Sequence, residues 1–159
     1  MKTIIRNYKI IFLDIDGVLN SYEWIKKEYN RVGHILIGTK ILDTKARDRL
    51  KLFLSENLDV KLVISSSWRW WDVKTTKEKF MKTRMCTLVP YIVGVTPMSY
   101  SLNRGKEIDW YVKKHHIKDY VIIDDEDNDI WQKDHLVKTD YIHGLQERHY
   151  KDIKRILRK

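Results

Sequence analysis

Four short stretches carry the residue types that could do chemistry. Asp14 and Asp16 stand two apart at the end of the apolar run Tyr8–Leu13, and Gly17-Val18-Leu19 follows. Strand alternation places both carboxylates on one side, with Ile15 pointing the other way. Like charges that close need compensation, most simply from a divalent cation that prefers oxygen, such as Mg²⁺. An isolated Asp-x-Asp would read as a solvated strand cap, but a buried strand before it and an apolar pair after the glycine favour a site. The second stretch is Ser65-Ser66-Ser67, after the apolar Asp59–Ile64. The third is Arg104-Gly105-Lys106, before an amphipathic segment. The fourth is Asp124-Asp125-Glu126-Asp127-Asn128-Asp129, directly after Tyr120–Ile123.

The elements that must position these groups alternate along the chain. Residues 8–16 read as a buried strand. Residues 17–41 are mixed and read as a short helix or hairpin flap. Asp43 or Thr44 caps a helix over 44–57, whose Ala46, Leu50, Phe53 and Leu54 share one face. Strands are expected over 59–64, 91–95, 120–123 and 136–139. The basic segment 72–90 reads as helical in part. A helix follows Arg104-Gly105 with Ile108, Tyr111 and Val112 buried, and another starts at Gly144 and packs through Leu145, Ile153, Ile156 and Leu157. Alternation of this kind predicts an α/β domain with a central, mostly parallel sheet. In such sheets the ligand lies outside the carboxyl ends of the strands, where three of the four polar stretches fall.

With 159 residues the chain is long enough for one domain with a sizeable core. The single cysteine, Cys86, excludes an internal disulfide framework and a thiolate zinc site. No apolar run is long enough to span a membrane, and Arg6, Asn7 and Lys9 break the N-terminal apolar stretch, so no signal peptide or membrane partner is expected and the cytoplasm is the default compartment. The net charge of +9 suits an anionic partner. An AT-rich coding bias would enrich lysine in the same way. His34, His115, His116, His143 and His149 have no partner at metal-ligand spacing and read as structural.

Taken together, the four stretches resemble the motifs of the haloacid dehalogenase-like (HAD) phosphatase superfamily, in order and over most of the chain. The resemblance is closest to small, nearly capless members, such as RNA-repair-associated HAD domains and the phosphatase half of polynucleotide kinase-phosphatase. It implies a three-layer Rossmann-like fold with a minimal cap over 20–41, and a single domain over residues 1–159. It implies Asp14 as a nucleophile that forms an aspartyl-phosphate, and Asp16 as the acid that protonates the leaving oxygen and then activates water. Ser66 is the expected phosphate-binding hydroxyl, with Ser65 the alternative. Arg104 or Lys106 supplies the cation on the phosphate. Mg²⁺ is the implied cofactor, on Asp14, Asp125 and Asp16, the last through its backbone carbonyl, with Asp124 and Asp129 as outer or alternative ligands. Arg69 resembles a substrate-binding arginine of nucleic-acid 3′-phosphatases.

The long caps that enclose small substrates in this superfamily are missing from the pattern. An open site admits a polymer end, so a nucleotide or nucleic-acid end is the expected phosphorylated substrate. Residues 69–84 carry six basic and two acidic side chains beside Trp68, Trp70, Trp71 and Phe80. Such a pattern suits phosphate tracking and base stacking, and also suits a solvated helix with its tryptophans packed beneath. A phosphatase of another small metabolite, or a non-catalytic phosphate- or nucleic-acid-binding module, are the competing readings.

Overall fold

The computed structural model describes residues 7–33, 42–98 and 103–158. Its elements follow the predicted alternation. Strand β1 spans Lys9–Leu13, helix α1 Tyr22–Val32, helix α2 Thr44–Glu56, strand β2 Val60–Ile64 and helix α3 Val73–Met81. A 3₁₀ segment over Cys86–Tyr91 leads into β3, Ile92–Val95; α4 is Arg104–His115, β4 Tyr120–Asp124, β5 Leu136–Lys138 and α5 His149–Leu157. The five strands form one sheet in the order β3-β2-β1-β4-β5, and every pairing is parallel.

Sheet alternation decides the layers. Ile11 and Leu13 of β1 face the larger core, with Leu50 and Leu54 of α2, Phe80 of α3 and Ile153 of α5. Ile10 and Phe12 face the other way, onto Ile108 and Tyr111 of α4. The four residues Ile10–Leu13 have no exposed surface. A strand covered on both faces reads as a continuous apolar run, as this one does. Each such side chain contributes about 1.5–3 kcal/mol through burial. The result is a three-layer α/β/α domain.

Caps set the helix starts. Asp43, not Thr44, caps α2: its carboxylate accepts from the Lys45 and Ala46 N–H groups at 2.8 and 3.2 Å. Asn103 caps α4 through the Lys106 N–H at 3.0 Å, which makes Arg104 the first helical residue. The flap expected over 20–41 contains α1, capped by Ser21; residues 34–41 lie outside the described residues. The last helix begins at His149 rather than Gly144. Gly144 has φ +65°, outside the helical region, and the Leu145 N–H is drawn to the Val18 carbonyl at 2.8 Å. That bond ties the C-terminal segment to the loop after β1 instead of to a helix.

Among the described residues no helix is long and apolar enough to cross a membrane.

Candidate active site

The sheet order places β1 between β2 and β4, so three polar strand ends meet. Leu13 pairs with Ile64 on one side and Ile123 on the other. The ladder continues one step past the strands: Asp14 N–H donates to the Ile123 carbonyl at 3.0 Å, and Ser65 N–H to the Leu13 carbonyl at 2.9 Å. Asp14 therefore sits between Ser65-Ser66 and Asp124-Asp125. Carboxylate oxygens of Asp14, Asp124 and Asp125 lie within 4.8 Å of one another, with the first two residues buried. The Ser66 hydroxyl hydrogen-bonds Asp14, and its oxygen accepts the Trp68 N–H at 3.3 Å. The Ser65 hydroxyl is instead 3.4 Å from Thr96 Oγ1 and from Arg104 Nη1.

Among the described residues, one cation faces this cluster. Arg104 lies 3.6 Å from Asp14 Oδ1 and 3.7 Å from Asp124 Oδ2. Lys106, two residues along α4, is exposed, and no contact joins it to the carboxylates among the described residues. The reason is helical: residues two apart point to different sides of a helix. Arg104 stays beside the acids because Asp129 accepts its backbone N–H at 2.9 Å. Asp129 thus holds the start of α4 rather than joining the carboxylate cluster.

One guanidinium does not offset the clustered acids. Burial, and then the charge of Asp124, push Asp14 up to about 7, against the pull of Arg104 and Ser66. Burial pushes Asp124 up to about 6, again opposed by Arg104. Asp125 is raised by burial as well. Three oxygen ligands of a hard cation, two of them buried and short of positive charge, fit a divalent ion such as Mg²⁺.

Asp16 does not enter the cluster through its carboxylate. Trp68 Nε1 donates to both of its oxygens at 2.9 Å, and Asn20 Nδ2 donates to Oδ1 at 2.6 Å. The Ser67 hydroxyl is 3.4 Å from Oδ2. The sequence-based expectation puts Asp16 on the metal through its backbone carbonyl, which this side-chain position leaves open, and misses its carboxylate's partners Trp68 and Asn20. Asn20 left a signal, an Asx residue three positions after a glycine in a turn. Trp68 left none, because 52 residues separate it from Asp16.

Arg69 is not poised for substrate. Its guanidinium points inward and donates to the carbonyls of Thr96, Ser66 and Pro97 at 2.9, 2.6 and 2.9 Å and to Glu107 Oε2 at 2.8 Å. It braces the serine loop, the end of β3 and α4. The basic, aromatic segment after it is likewise divided. Phe80 belongs to the core and Trp68 to Asp16, while Trp71 is 84% exposed at the start of α3. Beside α3 runs an open groove of about 760 Å³, lined mostly by apolar side chains such as Val73, Met81 and Ile92, with Lys61, Lys74, Lys77 and Glu78 at its walls.

An all-parallel sheet with Asp-x-Asp at the end of its central strand, a serine, a cation and a second acidic strand end around it, defines a HAD-type domain. Residues 10–150 match the family described as the HAD domain in Swiss Army Knife RNA repair proteins, and the chain belongs to that family. No curated protein and no solved structure matches the chain.

Proposed function

We propose that the protein is a Mg²⁺-dependent phosphomonoesterase acting on a nucleotide or nucleic-acid end. The observation that carries the reading is the position of Asp14: a carboxylate at the end of the central strand, touched by Ser66 and Arg104 and within 4.8 Å of Asp124 and Asp125. Asp14, Asp124 and Asp125 would hold the cation. Bound there, it would screen the negative charge shared by the carboxylates and a phosphate, and favour ionised Asp14.

The remaining chemistry belongs to the chain. A carboxylate oxygen of Asp14 attacks phosphorus, and the bond from phosphorus to the ester oxygen breaks. Asp16 gives its proton to that oxygen as it leaves. Water then attacks the aspartyl-phosphate; Asp16 takes its proton, the bond from phosphorus to the Asp14 oxygen breaks, and phosphate departs. Arg104 can hold non-bridging phosphate oxygens with a fork of N–H donors. The Ser66 hydroxyl fixes the attacking carboxylate.

The exposed Trp71, just before α3, and the net charge of +9 support a polymeric anion as substrate. Membership of a family described by its place in RNA repair proteins supports the same substrate class.

The test is a substrate panel run with Mg²⁺ and with chelator: an aryl phosphate, 3′- and 5′-phosphorylated oligonucleotides, mononucleotides and sugar phosphates. Metal-dependent turnover that Asp14→Asn abolishes is expected, with oligonucleotide ends favoured in kcat/KM. Equal turnover by Asp14→Asn would remove the nucleophile. A preference of orders of magnitude for sugar phosphates would replace the substrate class.

A further inference from the structure

Asp16 is held by a clamp that the chemistry above does not require. The indole of Trp68 packs against the main core while its N–H spans both Asp16 oxygens at 2.9 Å. Asn20 donates to Oδ1 at 2.6 Å. The Asn20 amide cannot turn over freely, because its own oxygen accepts the Gly17 N–H at 2.8 Å. Indole N–H and amide NH₂ are donors only, so neither can share a proton that Asp16 carries. Oδ1 is thus occupied by two N–H groups. Oδ2 has its share of the indole and the exposed Ser67 hydroxyl at 3.4 Å, a group that can donate or accept.

We propose that Trp68 is a positioning residue for proton transfer: its N–H bridges both oxygens of Asp16, Asn20 adds a second donor to Oδ1, and together they hold the carboxylate out of the Asp14–Asp124–Asp125 cluster with Oδ2 on the exposed Ser67 side. The proposal rests on the phosphatase reading. Without the indole N–H, one amide donor would remain on Oδ1. The carboxylate could then rotate toward the acidic cluster and join it as a further metal ligand, away from the leaving oxygen.

The consequence depends on the leaving group. An alkoxide leaving group needs the Asp16 proton during cleavage, whereas 4-nitrophenolate leaves without help. The experiment compares kcat/KM, which reports events up to phosphorylation of Asp14, for 4-nitrophenyl phosphate and for glycerol 2-phosphate or a 3′-phosphorylated oligonucleotide. Wild type, Trp68→Phe and Asp16→Asn are measured with saturating Mg²⁺. General acid catalysis contributes about 10²–10⁴-fold. Trp68→Phe is expected to lower the alkyl value about tenfold or more while changing the aryl value about twofold or less, in the same sense as Asp16→Asn and to a smaller extent. A benzothienylalanine at position 68 removes the N–H with the ring shape kept, and should reproduce the split even if Trp68→Phe folds poorly.

Equal losses on both substrates, or no loss in the benzothienyl protein, would overturn the positioning role and leave the phosphatase reading standing. No selective loss in Asp16→Asn would remove Asp16 as the acid, and the role of Trp68 with it. A wild type inactive on every phosphate would overturn the phosphatase reading itself.

Discussion

The Asp125 carboxylate occupies the space that a side chain on Gly17 would need. A Cβ built on Gly17 would overlap the carboxylate group, and Gly17 has φ +67°. The glycine of Asp-x-Asp-Gly therefore does two things. It turns the chain after β1, and it admits the acid from β4 to the cluster. Glycine is suited to both, having no Cβ and ready access to positive φ.

Gly17→Ala should accordingly damage the metal site more than the fold. Strain at positive φ costs on the order of 1 kcal/mol. Displacing Asp125 should weaken Mg²⁺ binding and raise the half-saturating Mg²⁺ concentration for activity by about tenfold or more. A Mg²⁺ titration of turnover beside a urea melt separates the two effects.

Stability without metal should fall as pH rises. In the folded protein Asp14 is raised to about 7 and Asp124 to about 6, from an ordinary value of 3.8. Between about pH 4 and pH 7 the folded state therefore binds more protons than the unfolded state. Stability is lost across that window, since the slope follows protons bound in the unfolded state minus the folded. Melting temperature in chelator should decline from pH 4.5 to 7.5 through these groups. Mg²⁺ should raise it more at pH 7.5 than at pH 5, and Asp14→Asn should flatten the chelator curve. A metal-free profile unchanged by Asp14→Asn would contradict this account.

Arg104 and Lys106 should behave differently despite both being cations at one helix start. Arg104→Ala removes the only guanidinium within 4 Å of Asp14 and Asp124 among the described residues. A fall in kcat/KM of about 10²-fold is expected, by analogy with losing one donor aimed at transition-state charge. Arg104→Lys should recover part of it, because an ammonium restores charge but not the fork. Lys106→Ala should stay within about twofold on an aryl phosphate.

Arg69 and Glu107 should register in stability first. Their side chains are each 5% exposed and form a 2.8 Å ion pair. Removing one partner of a buried pair costs about 3–5 kcal/mol, because the other charge is left in the protein. Arg69→Met and Glu107→Leu should each lower the urea midpoint strongly, and the double variant should cost less than the sum. Strict additivity would mean that the pair is not coupled.

The sequence by itself determined the layers and the strand ends. Apolar runs such as Ile10–Leu13 are long-range requirements written locally, since a strand buried on both faces must be apolar throughout. The helical faces of α2 and α4 were legible for the same reason, and the HAD motifs marked the strand ends that carry Asp14, the serines and Asp125 and the helix start that carries Arg104-Gly105-Lys106. The helix start at Gly144 was misplaced because the competing bond, Leu145 N–H to Val18, links distant segments. Only the tertiary structure decided which groups of each motif face one another. Arg104 rather than Lys106 meets the carboxylates through the phase of α4, fixed by Asn103 and Asp129. Asp16 turns from the acids toward Trp68 and Asn20, and Arg69 turns inward to Glu107. Each outcome depends on hydrogen-bond donors and charges brought together across tens of residues. Local periodicity records burial, and it carries no record of which buried polar atom meets which.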